Sequence, residues 1–136
     1  MAFIVDAQPS IRISSGHETY DVFTNMKLVL YEADKPGEII ESGHLILDYS
    51  FSLDAYLNRI PPLVHSGADQ IAILHQLKPV NLEWGRWSFE DESRAKTFLI
   101  DAIEYLMVAI SKQLKSRFEE ISDYTINQFR IFTTTE

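Results

Sequence analysis

The sequence predicts an α+β fold: a mainly antiparallel, twisted sheet packed against one long C-terminal helix and a short helix. Three observations predict it. Apolar and polar residues alternate with period two on both sides of Asp34-Lys35-Pro36-Gly37. Apolar residues then step by threes and fours from Leu99 to Ile121. The chain has 136 residues, 46% apolar and 24% charged, which suits a single domain with a real core and excludes wholesale disorder.

A short strand is expected around Ile11 to Ser14. The next strand runs from Tyr20 to Glu32, with Val22, Thr24, Met26, Leu28 and Leu30 on one face and Phe23, Asn25, Lys27, Val29 and Tyr31 on the other. Asp34-Lys35-Pro36-Gly37 supplies turn chemistry, since Pro fixes φ and Gly tolerates the positive φ that closes a hairpin. The return strand spans about Glu38 to Phe51, with Leu45, Leu47, Tyr49 and Phe51 opposite Ile40, His44, Ile46 and Asp48, and a bulge is expected at Gly43.

Ser52 then caps an expected short helix whose stripe is Leu53, Tyr56, Leu57 and Ile60, ended by Pro61-Pro62. From Ala68 to Leu77 two patterns compete. Ser66 and Asp69 have capping-box spacing, but Ile71, Ile73, His75 and Leu77 alternate, and the alternation favours a strand. Val80 to Phe89 reads as one further strand with an irregularity at Gly85.

The long helix is expected from Ser88 to Ile121. Ser88 and Asp91 have capping-box spacing, Glu90, Asp91 and Glu92 sit where the helix dipole favours acid, and Lys112, Lys115 and Arg117 sit toward its end. A closing strand follows from Tyr124 to Phe132, with residues 133–136 as a frayed tail. No repeat or long linker divides the chain, so residues 1–136 read as one domain.

Composition narrows the function classes. Twenty acids against twelve bases give a net charge of −8, which disfavours nucleic acid and anionic membrane surfaces as partners. With no cysteine there is no disulfide framework, thiol nucleophile or thiolate metal site. Met1 to Val5 meets Asp6 at once, unlike a secretory leader, and Asp101 and Glu104 interrupt the longest apolar stretch. The localisation read from this is cytoplasmic.

No chemistry-bearing motif emerges. His17, His44, His65 and His75 show no ligand-pair spacing, so no metal site is expected. Ser42-Gly43 and Ser66-Gly67 lack the first glycine of a nucleophile elbow, and no phosphate-cradling glycine loop is present, so no cofactor or catalytic residue is assigned. Asp101 and Glu104, three apart, read as a solvent-facing strip of the long helix.

Two features point to binding. Trp84-Gly85-Arg86-Trp87 concentrates the residue types that dominate interface hot spots, although two core tryptophans sealing the sheet would explain the same cluster. Residues 1–50 hold eight acids and three bases, so Asp34, Glu38 and Glu41 are candidates for an acidic patch, against a reading as ordinary solubilising charge. The leading expectation is a non-catalytic acidic module that occludes a basic protein partner, in the manner of immunity, antitoxin or secretion-chaperone proteins. Trp84, Trp87, Arg86, Glu38, Glu41 and Asp34 would form its contact surface. The alternatives are a homodimeric adaptor, using the apolar hairpin face or the long helix, and a small enzyme or ligand-binding domain with a pocket between sheet and helix.

Overall fold

A computed structural model describes residues 2–15, 19–52, 67–77, 81–120 and 126–135. The strands are β1 (Phe3–Ser15), β2 (Thr19–Glu32), β3 (Ile39–Ser52), β4 (Asn81–Glu83), β5 (Arg86–Phe89) and β6 (Ile126–Thr135). The helices are α1 (Gly67–Leu74), a 3₁₀ turn η1 (His75–Leu77) and α2 (Glu92–Glu120). The six strands form one sheet in the order β4-β5-β1-β2-β3-β6, with every neighbouring pair antiparallel. This is the expected α+β arrangement, an antiparallel sheet carrying one long and one short helix.

The hairpin alternation sorts the two faces as expected. Val22, Thr24, Met26, Leu28, Leu30, Leu45 and Leu47 are all buried on the helix side. Across them lies the α2 stripe of Ala95, Phe98, Leu99, Ala102, Ile103, Leu106 and Ile110, and Val5 and Trp87 complete the same cluster. Residues of these types each contribute roughly 1.5–3 kcal/mol when fully buried, and this layer holds the helix on the sheet. Ile4, Val29 and Tyr31 make a second, smaller cluster on the opposite face.

Several expectations are corrected. β1 is 13 residues long, not a short piece at Ile11 to Ser14. Pro9 masks it in the sequence, because proline removes a ladder donor. Here that costs nothing. Ala7 N–H donates to Gly85 O at 2.8 Å, on the side away from β2, and Pro9 shares the parity of Ala7.

Residues 67–77 are helical, not a strand. Ile71 and Leu74, three apart, suffice to bury one side of α1, and a helix completes its own backbone bonds without a place in the sheet. Val80 to Phe89 is a tight hairpin, not one strand. Gly85 adopts φ of 80°, the left-handed geometry that glycine enters freely, and reverses the chain there.

Helix α2 begins at Glu92, four residues later than Ser88, which belongs to β5. Its cap is Asp91: Ser93 N–H donates to Asp91 Oδ1 at 2.8 Å, and Ala95 N–H to Asp91 O at 3.1 Å. Gly43 makes no bulge but pairs in register with Leu28 and Thr135. Its place is set by α2, since a Cβ there would stand 3.2 Å from Leu99 Cδ2. The bulge falls instead at Ile40, between the Leu30–Glu41 and Tyr31–Ile39 pairs.

The β2–β3 connection consists of two tight turns, with Lys35 N–H donating to Glu32 O and Glu38 N–H to Lys35 O. Gly85 alone among the described glycines has a positive φ, so Gly37 closes its turn without one. β6 continues to Thr135, where a frayed tail was expected. The expected helix after Ser52 lies outside the described residues.

Candidate protein-binding surface

The β4–β5 turn divides the two tryptophans. Trp87, opposite Val5, is 0% exposed and belongs to the core, whereas Trp84 at the turn is 58% exposed. Both meet His75. Its ring stacks on Trp84 with centroids 4.4 Å apart at 27° and tilts against Trp87 at 5.7 Å. Trp87 in turn packs on Phe98 at 5.3 Å, so a chain of aromatic contacts joins the surface tryptophan to α2. Such offset and tilted ring pairs are the geometries that aromatic quadrupoles favour.

The placement of His75 follows from α1. Burial of Ile71 and Leu74 seats that helix, and η1 then carries His75, Gln76 and Leu77 past the β4–β5 turn toward α2. Tyr105 O–H donates to Gln76 Oε1 at 2.8 Å and ties η1 to the long helix. Beside that bond, Leu77, Asp101, Glu104, Tyr105 and Val108 line an open groove of about 420 Å³. Asp101 and Glu104 are exposed, as the solvent-strip reading of the helix requires. Ile100 and Val108 are also exposed on this stretch.

Arg86 is already engaged. Its guanidinium pairs with Glu83 Oε1 at 2.5 Å and with Asp6 Oδ2 at 3.8 Å. This cluster lies on the second face of the sheet, since Asp6 stands directly opposite Arg86 and one residue away from core-facing Val5. Burial pushes the Asp6 carboxyl above its ordinary range, opposed by Arg86 and by a hydrogen bond from Gln8. Burial likewise raises the Tyr31 phenol, with the neighbouring Asp6 charge adding to it.

The remaining sequence candidates lie elsewhere. Asp34 and Glu38 are exposed at the β2–β3 turn, at the end of the sheet where Phe3 meets Glu32. The Trp84-Gly85 turn is level with Ala7, four residues along β1, so about 13 Å separates the two ends along the strands alone. Glu41 is half-buried and paired with Leu30, hence on the helix side, with its Oε2 buried and no hydrogen-bond partner. The six candidates therefore do not form one surface.

The structure instead links Trp84 through the His75 ring to η1, whose Gln76 meets Tyr105 and whose Leu77 lines the groove with Asp101, Glu104 and Val108. The spacing of Asp101, Glu104, Tyr105 and Val108 at i, i+3, i+4 and i+7 already marks one helix stripe in the sequence. What links it to Trp84 is η1, which the alternation of residues 71–77 disguised as a strand.

Among the described residues, no group of three His, Asp or Glu side chains is placed to hold a metal ion. No helix among them is long and apolar enough to cross a membrane. Comparison with protein-family models, curated proteins and solved structures finds no significant match.

Proposed function

We propose that this chain is a non-catalytic protein-binding module that occludes a basic partner, with Trp84, η1 and the outer stripe of α2 as its contact surface. The observation that carries the reading is the exposed Trp84, 58% accessible and stacked on His75 of η1, the same turn whose Leu77 lines an open groove with Asp101 and Glu104. A rigid aromatic side chain loses little freedom on docking, which makes it an efficient anchor. The two carboxylates suit a lysine or arginine whose stem lies along Leu77 and Val108.

The groove is open rather than enclosed, which fits a protein surface better than a buried small molecule. The net charge of −8 supports a basic partner and electrostatically guided encounter. Immunity, antitoxin and secretion-chaperone proteins act by occlusion of this kind.

The test is capture of partners from the native lysate with the unaltered chain, Trp84→Ala, and the double reversal Asp101→Lys/Glu104→Lys. One stoichiometric basic protein, partly released by salt, is expected on the unaltered chain. Trp84→Ala should weaken it by about 2 kcal/mol or more, the size of a hot-spot truncation. The double reversal should remove most of the salt-sensitive part. Equal retention on all three proteins sinks this surface, and capture that instead fails with Asp34→Lys/Glu38→Lys moves the site to the hairpin end.

A further inference from the structure

The two edges of the sheet are built differently. One is blunted. β4 spans only three residues, and β5 pairs with β1 only over Phe3 to Asp6. Beyond the Ala7–Gly85 bond, the next outward-facing position of β1 is Pro9, which has no N–H to offer. The start of α1 also crowds it, since a Cβ on Gly67 would meet the Pro9 ring at 2.6 Å. Short strands, proline and a covering element are the ordinary protections of a sheet edge.

Among the described residues, the other edge has none of these. β6 is ten residues long, Ile126–Thr135, without proline, glycine or acid. Its residues are largely the β-branched and aromatic types that pair well in sheets. The irregularity in its pairing with β3 lies at its beginning, beside Ser50 and Phe51.

The bonding parity follows across the sheet from Ala7. In an antiparallel ladder each residue directs N–H and C=O to the same neighbour, alternately left and right. Odd residues of β1 point away from β2, so even residues of β2 point to β3, and even residues of β3 point to β6. The partners of His44, Ile46, Asp48 and Ser50 are Thr134, Phe132, Arg130 and Gln128. Phe129, Ile131, Thr133 and Thr135 therefore direct their backbone groups outward, where no strand among the described residues pairs with them.

We infer that the free edge of β6 is a homodimer interface, on which a second copy of this chain adds its own β6 antiparallel to give one continuous sheet. Charge favours a second copy there. The strand carries a single charged residue, Arg130, in a chain of net charge −8, so two copies meet along their least acidic edge. A two-fold axis at Ile131 or Phe132 sets outward groups against outward groups and places Arg130 opposite Phe132 or Thr134, with no like charges facing. A two-fold pairing uses the β6 edge of both copies, so it closes at two. This interface is separate from the Trp84 surface, so either can fail alone.

The test is sedimentation over low to high micromolar concentration, with hydrogen exchange followed residue by residue. The expected species has twice the 15.7 kDa chain mass. Outward amides of Phe129, Ile131 and Thr133 should gain protection as concentration rises, while the inward amides of Arg130 and Phe132 are protected throughout. Thr133 is exposed, and Thr133→Pro deletes one outward N–H without touching the β3 ladder, so it should raise the dissociation constant roughly tenfold or more. A monomer at the highest concentration, or a dimer whose outward amides exchange freely, overturns the inference. The exchange measurement uses the unaltered chain and decides the matter even if the proline variant folds poorly.

Discussion

At the scale of single residues, neighbouring positions take opposite roles because of backbone geometry. Trp84 and Trp87 are three apart, yet the positive φ of Gly85 leaves one at a turn and sends the other into the core. Arg86 between them is spent on Asp6 and Glu83. Asp6 carries a pH signature of its own. Its pKa is raised in the fold, so below the ordinary 3.8 the folded and unfolded chains bind its proton equally. As pH rises from 3.8 through the raised value, the unfolded chain releases the proton first, and this group's contribution to stability falls. Asp6→Asn cannot titrate, so the stability of the unaltered chain relative to this variant should decline across that window. Denaturant unfolding of both proteins at a series of acid pH values checks this, and parallel curves would refute it.

At the scale of elements, the long helix is legible because its stripe repeats over many turns, but it starts later than expected because Asp91, read as the acid of a capping box opened by Ser88, is itself the cap. Ser88 and Asp91 both precede acids and both suit a cap. Strand pairing decides between them: Ser88 is opposite Ile4 in the sheet, which leaves Asp91 to accept the Ser93 N–H. Asp91→Ala should cost about 1 kcal/mol of stability. Ser88→Ala should show no helix-capping loss, and a larger loss at Ser88 than at Asp91 in thermal unfolding would restore the earlier start. The same competition explains α1, whose alternating isoleucines imitate a strand while burial needs only Ile71 and Leu74. It also explains β1, where Pro9 looks like a strand breaker until its N–H position proves to face no partner.

At the scale of the whole molecule, the larger buried cluster among the described residues lies between the sheet and its helices, chiefly α2. Leu106 is 0% exposed at its centre, and Leu106→Ala should cost about 2–5 kcal/mol, as buried leucines do when a cavity is left behind. Val108, two residues on and 53% exposed, should tolerate alanine within roughly 0.5 kcal/mol. Denaturant midpoints of the two variants test whether α2 is seated as described, since similar losses would mean a rotated helix.

Local patterning alone was enough to establish the α+β class, the β2–β3 hairpin with its two faces, and the buried stripe of α2. Periods of two and 3.6 follow from backbone geometry and need no distant partner. The binding candidates were legible only as residue types: Trp84 and Trp87 look alike in sequence, and Asp34, Glu38 and Glu41 look like one patch. Contacts between residues far apart in the chain decided which tryptophan is exposed, that Glu41 is half-buried beside Leu30, and that η1 meets Trp84 through His75 and the α2 groove through Leu77. Strand order and the place of β6 at the end of the sheet were settled in the same way, because pairing is a property of two segments and neither carries it alone.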